Sequence, residues 1–436
     1  MGDAETKLRD LRARGLARAQ SRAGGAHCAM GARLVFNPAS VASGGVPACA
    51  VGAPAAESRD ASLAASAGTR TRVLENAFMR VALDRHGRIS AITSAHGTTL
   101  PARGRALNEL VLYEDRPRRW EAWDTDKEYA QKPSPVTTPC TMRASLRGGV
   151  ARIQVRRTLG ERSTITQTYE LGAWCDTLFI RTRLDWREER TLLRALFPTR
   201  IRTRSALFGT QLGHLARDAH RNTSWQQAQF EVPGHDWMSL SDGATSIAIV
   251  DDGIFGRSAV DGELGLSLVK SPNFPDPKAD RGVHEFTYGV RIGDATEANA
   301  WAAAERLNHA VEVCAAASAS GATSATSATS VARASSARTL QLVSIASSLD
   351  RDSVEVLAIK PADDASGDAI LRVVDRSGAP QQLLMHWRED VRDVVACDFF
   401  ERPLGRARSA VKGGTSVASL GAFEVASWRV RIRSHR

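Results

Sequence analysis

Nowhere in these 436 residues does an apolar run approach the ~18 residues that a membrane-spanning helix needs. No membrane partner is expected. The six cysteines, Cys28, Cys49, Cys140, Cys175, Cys314 and Cys397, form no CxxC pair and no short-spaced Cys/His group. That argues against a zinc site and against a disulfide framework, and scattered free thiols fit a reducing compartment. No phosphate-cradling glycine loop, HExxH or GxSxG occurs, and the Ser, His and Asp residues are too dispersed to suggest a triad. Residues 1–22 carry charge throughout with no apolar core segment, unlike a secretory signal, so the expected location is cytoplasmic.

Charge of one sign is also not concentrated. Lysine and arginine number 58 against 48 acidic residues, a formal +10, but the excess arginine is spread along the chain. A polyanion partner is one reading; solvated surface arginine is the other. No basic run is interleaved with aromatics as a single-strand binder requires, so nucleic acid is not expected.

What the chain does have is strand pattern. Met79, Val81 and Leu83 alternate with polar neighbours, His86-Gly87 supplies a turn, and Ile89–Ile92 begins the return. Ile153 and Val155, Ile165–Tyr169, and Leu178, Ile180, Thr182 and Leu184 repeat the period of two. Strands recur to Val290 without a long helical pattern, which predicts a mainly β fold of antiparallel sheets packed face to face. The expected order is a helical segment over 1–32, with its helix at 3–20, then a first strand (33–37) and an Ala/Gly/Ser-rich loop over 33–72. A large sandwich over 73–294 follows, then a helix (295–308) and low-complexity linker over 295–338, and a small terminal sandwich over 339–436. The Ala-Thr-Ser tract at 322–330 cannot bury a core.

Three clusters could carry chemistry. The first runs from Tyr113-Glu114-Asp115-Arg116-Pro117 to Trp120-Glu121-Ala122-Trp123-Asp124-Thr125-Asp126. Indoles stack on the apolar face of a pyranose while carboxylates accept its hydroxyl hydrogen bonds, and paired carboxylates can do acid/base work on a glycosidic bond. A charged loop whose tryptophans anchor the core is the competing reading. The second is His220–Trp225 with Phe230–Trp237; its two histidines, His220 and His235, are weak metal evidence because satisfied structural histidines are commoner. The third is the proline-rich loop Ser271–Phe286, in which Asp276, Asp280, Arg281 and His284 either face a polar pocket or belong to a rigid connection.

In one order over some 400 residues, these segments resemble the C-terminal region of glycoside hydrolase family 38, the class II α-mannosidases, and most the cytosolic and bacterial branch. The likeness starts at Leu34-Val35-Phe36-Asn37-Pro38. It passes through Glu114–Pro117, Trp120–Asp124, Leu184–Glu188, His220–Trp225, Phe230–His235 and the 271–286 loop, and closes at Gly421–Val425. Asn37-Pro38-Ala39-Ser40 lacks the aromatic that usually follows, Arg281 stands where glutamine is frequent, and the Ala-Thr-Ser tract is an insertion.

The resemblance implies a large sandwich of the galactose-mutarotase-like type followed by a smaller one. In the complete enzyme an N-terminal β/α barrel and adjoining helices would hold zinc, the nucleophilic aspartate and the acid/base carboxylate, and hydrolyse α-mannosides with retention. None of those motifs occurs here, so no catalytic or metal residue is assigned and no cofactor is expected on this chain. The expected partners are an α-mannoside and the catalytic barrel. Asp124, Asp126, Asp280 and His284 are the expected rim of its pocket, with Trp120 and Trp123 as stacking or packing groups. A stand-alone carbohydrate-binding or scaffold module, or one half of a split enzyme, are the alternatives.

Overall fold

The computed structural model describes residues 33–433 except 44–45, 53–61, 66–71, 101–104, 174, 294–296, 316–339, 350–351, 406–408 and 412–413. The helix expected at 3–20 and the tract around 322–330 lie outside the described residues. The chain divides into two compact units, one over 57–307 and one formed by residues up to 56 with those from 308 onward.

The larger unit is built from three antiparallel sheets sharing one core. A nine-stranded sheet runs in the order Cys140–Arg147, Val150–Leu159, Ser163–Gly172, Leu178–Trp186, Gly282–Gly293, Ser246–Asp251, Trp237–Ser241, Ser205–Thr210, Gly213–Asp218. Its alternation is strict where the sequence alternates. Ile165, Gln167 and Tyr169 point into the core while Thr166 and Thr168 point out. A five-stranded sheet (62–100) and a six-stranded sheet carrying Glu109–Glu114, Thr191–Pro198 and Glu263–Lys270 contribute to the same core. The turn after Leu83 closes through a hydrogen bond from Gly87 N to Asp84 O (3.0 Å), and Gly87 takes φ +68°, where a side chain is disfavoured.

That core contains a closed polar ring. Asn108 Nδ2 donates to Gln167 Oε1 (3.2 Å), Gln167 Nε2 to Tyr288 Oη (2.6 Å) and Tyr288 Oη back to Asn108 Oδ1 (2.7 Å), while Asn108 Nδ2 also donates to Tyr169 Oη (2.7 Å) and Tyr169 Oη to Gly87 O (2.7 Å). Burial pushes both phenols above their ordinary pKa, so they stay neutral donors. Each member has a partner, which is the condition for tolerating polar atoms in a core.

The six-stranded sheet has a second, outer face. Val111, Tyr113, Leu192 and Leu196 form a small cluster there, covered by Tyr129 from the 3₁₀ turn Lys127–Gln131 and by Phe230. Arg194 emerges from the same face and donates to Tyr129 Oη (2.5 Å) and Ser258 Oγ (2.7 Å). The segment after Glu114 is thus laid over this face as a cover. Glu297–Asn308 is a helix whose Ala300–Ala304 stretch is buried.

In the second unit, Arg33–Asn37 pairs antiparallel with Glu312–Ala315 and with Ala50–Gly52, joining segments far apart in sequence. Asn37 is fully buried and donates to the carbonyls of Val41 (2.8 Å), Val46 (3.0 Å) and Pro47 (2.9 Å), which shapes the turn after it. A three-stranded sheet (Val343–Ser347, Gln381–Trp387, Thr415–Leu420) packs on a five-stranded one containing Val354–Pro361, Ala369–Asp375, Val391–Cys397 and Val425–Ile432. Their core includes Leu371, Leu383, Met385 and Val430. The described cysteines Cys49, Cys140, Cys175 and Cys397 are free thiols.

Candidate functional site

The covering segment of the six-stranded sheet carries the first chemical cluster. Asp115 follows the strand Glu109–Glu114, is 2 % exposed, and meets Lys270 Nζ at 3.1 Å. Burial pushes its carboxyl up, and the Lys270 ammonium opposes that shift. The same ammonium donates to the Asp124 carbonyl and to Thr125 Oγ1 (3.0 Å). One lysine, two strands away in the same sheet, therefore holds both ends of the 115–125 loop.

The loop's tip is a tight turn. Trp123 N and Asp124 N both donate to Trp120 O (2.8 and 2.9 Å), and Trp120 sits at φ +58°. A bulky residue there costs on the order of 1–2 kcal/mol, which the two hydrogen bonds offset. The turn pushes both indoles outward. Trp120 is 61 % and Trp123 69 % exposed, with rings edge to face at 6.1 Å. Exposure on this scale means they anchor no core of the unit. Asp124 Oδ1 accepts from Thr125 N (2.9 Å), and Asp126 Oδ2 accepts from Arg118 N and Nε (both 3.2 Å).

The proline-rich loop lies against this one. Glu121 accepts from Arg190 (2.8 and 3.3 Å) and from Asn273 N (2.9 Å). The Arg190 hydrogen bonds, followed by that of Asn273, hold the Glu121 carboxyl below its usual range. Arg190 N donates to Ser271 O (2.7 Å) and Asp115 N to Arg190 O (2.7 Å). Arg281 pairs with Glu189 at 3.1 Å. Glu121 and Arg190 thus clamp the two loops together. Further along, Asp280 turns the chain at φ +59° and is exposed, and His284 Nε2 donates to its carbonyl (2.6 Å). Asp124 and Asp126 are tied within the first loop, and Asp280 and His284 within the second; the link between them runs through Glu121, Arg190 and Asn273.

The second cluster is tied by local contacts. Thr223 and Gln226 form a reciprocal capping box on the short helix Ser224–Ala228. His235 contacts Asp236 at 2.9 Å and packs its ring 5.7 Å from Phe255. Gly234 lies against the buried Arg257, whose Cδ would be 2.7 Å from any Cβ there. Arg257 pairs with Asp251 at 2.8 Å, both side chains fully buried. Among the described residues no three His, Cys, Asp or Glu side chains converge to hold a metal. A zinc ion does not fit here, and no chemical step is derived through one.

Residues 74–278 match the model of the glycosyl hydrolases family 38 C-terminal domain. Over that stretch the chain belongs to the family 38 C-terminal region. Human alpha-mannosidase 2C1 is 32 % identical over 361 residues, which is 81 % of this chain and 33 % of the human protein. The alpha-mannosidase of Saccharomyces cerevisiae is 31 % identical over 196 residues, 42 % of this chain and 18 % of the yeast protein. The crystal structure of an alpha-mannosidase from Enterococcus faecalis V583 superposes with a TM-score of 0.68 at 16 % identity, over 88 % of this chain and 45 % of that one. The family 38 region here thus spans about a third or less of the curated relatives' length. The family-model match takes in the covering loop, the capping-box cluster and the first part of the proline-rich loop.

Glu121, Arg190, Lys270 and Asn273 were not singled out from the sequence, although Glu121 and Asn273 lie inside its motifs. Their signal is a pairing across 69 residues (Glu121 to Arg190) to 155 residues (Asp115 to Lys270), which no local pattern carries.

Proposed function

We propose that this chain serves as the non-catalytic β-sandwich half of an α-mannosidase-type glycoside hydrolase. In this reading it buttresses a catalytic barrel and lends two clamped loops to the rim of the sugar pocket. The observation that carries the reading is the clamp itself: Glu121, Arg190, Asn273 and Lys270 hold Trp120, Trp123 and Asp124 in a fixed, exposed presentation. A loop pinned at both ends with two outward indoles is suited to meeting a pyranose or the barrel face, since little ordering entropy remains to be lost on contact. Asp124 and Asp126 would accept hydroxyl hydrogen bonds, and Asp280 and His284 would shape the far side. The relatives matched are named as alpha-mannosidases, which supports an α-mannoside as the sugar. Zinc, the nucleophile and the acid/base carboxylate are assigned to the barrel. No helix among the described residues is long and apolar enough to cross a membrane, and the reading assigns the protein to the cytoplasm.

The test is hydrolysis of an aryl α-mannoside. The purified chain with added zinc is expected to give no turnover. A matched catalytic barrel supplied as a second chain or by fusion is expected to restore it. In that assembly Trp120→Ala and Asp124→Ala should raise KM. Robust turnover by the 436-residue chain alone refutes the proposal. Mannoside binding by the chain alone, lost in Asp124→Ala and with no effect of the barrel, would favour a stand-alone carbohydrate-binding module.

A further inference from the structure

The outer face of the nine-stranded sheet carries an indentation that meets the proline-rich loop only at its last two residues, Glu285 and Phe286. Two cavities of about 390 and 400 Å³ share Asp252, Glu285 and Phe286 and so form one groove. Its floor is set by strand register. Gln154, Thr168, Arg181 and Thr287 stand directly opposite one another across four strands. Thr166, Arg183 and Glu285 form a second row beside them. Neighbouring strands are ~4.8 Å apart, so each row offers a polar group at about the spacing of one sugar ring.

The arginines on this floor are already paired. Arg181 Nε is 2.7 Å from Glu170, and Arg183 Nε is 3.4 Å from Glu285. Asp252 Oδ2 accepts from Thr287 N (2.7 Å). Guanidiniums with their own carboxylates offer little to a phosphate or a polyanion. Threonine hydroxyls and a glutamine amide both donate and accept, as a sugar hydroxyl does. At one end stands Phe255, 55 % exposed, an apolar plate for the C–H face of a ring. A merely solvated sheet face would account for polar rows, but not for the indentation or for an exposed aromatic closing it.

We propose that this groove is a binding site for a neutral oligosaccharide of two or more residues, laid across the strands with one ring against Phe255. It adjoins the proline-rich loop at Glu285 and Phe286, but it uses none of the residues assigned to the rim and does not depend on that reading.

The test is calorimetric titration of the purified chain with mannotriose, maltotriose and cellotriose, with inorganic phosphate and a heparin fragment as charged probes. At least one neutral trisaccharide is expected to bind with a Kd of about 1 mM or tighter. Phe255→Ala should weaken it about tenfold or more, as loss of an aromatic stacking partner does. Thr166→Val with Thr168→Val keeps the β-branched shape, deletes two hydroxyls and should do the same, while Phe400→Ala, at an exposed ring of the second unit, leaves binding unchanged. Circular dichroism of each variant reports whether the sheet is intact. No binding of any neutral trisaccharide overturns the proposal. So does binding that is lost in Trp120→Ala and kept in Phe255→Ala, or tighter binding of phosphate or heparin. The assay reads binding, so its failure leaves the hydrolysis test standing, and the reverse.

Discussion

Asp251 and Arg257 offer a decisive test of the packing behind the second motif. Both side chains are fully buried, 2.8 Å apart. Burial pushes the Asp251 carboxyl up and the Arg257 guanidinium down, so each charge persists because the other is there. The two are not equivalent when separated. Asp251→Asn leaves a buried guanidinium that cannot release its proton, a loss of about 3–5 kcal/mol. Arg257→Met leaves a carboxyl that can take up a proton and still accepts from Gly253 N (3.2 Å) and Ile254 N (2.8 Å). Its cost is on the order of 1–3 kcal/mol. At about 2–4 °C per kcal/mol for a unit of this size, the melting point falls roughly 6–20 °C in the first variant and 2–12 °C in the second. The pH dependence separates them further. With its folded pKa raised above the ordinary 3.8, the unpaired carboxyl of Arg257→Met binds its proton more tightly folded than unfolded. Stability held below about pH 4 is therefore lost as pH rises through the raised value, so this variant falls further behind the native protein towards neutral pH, and Asp251→Asn does not. Urea unfolding followed by tryptophan fluorescence, at several pH values, measures both; Trp237 is 1 % exposed and its strand pairs Trp237 with Val250. If Arg257→Met is as costly as Asp251→Asn at pH 5, or its deficit is flat with pH, the reasoning fails.

Gly234→Ala would bring a Cβ to 2.7 Å from Arg257 Cδ, so a loss of about 1–3 kcal/mol is expected in the same urea assay. Tyr288→Phe removes the hydroxyl that accepts from Gln167 and donates to Asn108, and should cost about 1–3 kcal/mol in thermal melts with no change in strand content. Trp120→Ala should leave the melting point of the isolated chain unchanged within about 1 °C, because the indole is 61 % exposed. Arg429 hydrogen bonds lower the Asp364 carboxyl to about 2, so the second unit should lose stability as pH falls from about 4 through 2. Arg429→Gln should flatten that part of its acid-unfolding curve followed by circular dichroism.

How far the fold can be read from the sequence depends on how local the cause is. Alternation at Met79–Leu83, Ile165–Tyr169 and Leu178–Trp186 is a one-sided burial pattern, and the strands stand where it appears. The alanine-rich stretch at 295–308 is a helix from Glu297. The pairing of Arg33–Asn37 with Glu312–Ala315 is set by shape and hydrogen bonding across nearly the whole chain, and neither segment announces its partner. The rows across the nine-stranded sheet are likewise invisible in any one strand, since register decides that Thr168 faces Arg181 and Arg181 faces Thr287.

The same division runs through the loops. Residue type alone draws attention to Trp120, Trp123, Asp124 and Asp126, because indoles and carboxylates are what a sugar needs. It cannot distinguish them from Glu121, which is also a carboxylate but faces inward onto Arg190 and Asn273. Nor can it single out Lys270, whose one ammonium reaches Asp115, Asp124 and Thr125 from two strands away. A residue that presents a group to a ligand is legible by chemistry, whereas a residue that positions it is legible only once the strands are paired. Glu121→Ala should therefore act on the rim without touching it. The loss of the clamp lets the 115–126 loop move away from Asn273, and the reconstituted enzyme should show a raised KM with Trp120, Trp123 and Asp124 all still in place. Rescue by Glu121→Gln, which retains an acceptor for Asn273 N and Arg190, would separate the hydrogen-bond geometry from the charge. If Glu121→Ala leaves KM unchanged where Asp124→Ala raises it, the clamp is structural ballast and not part of the site.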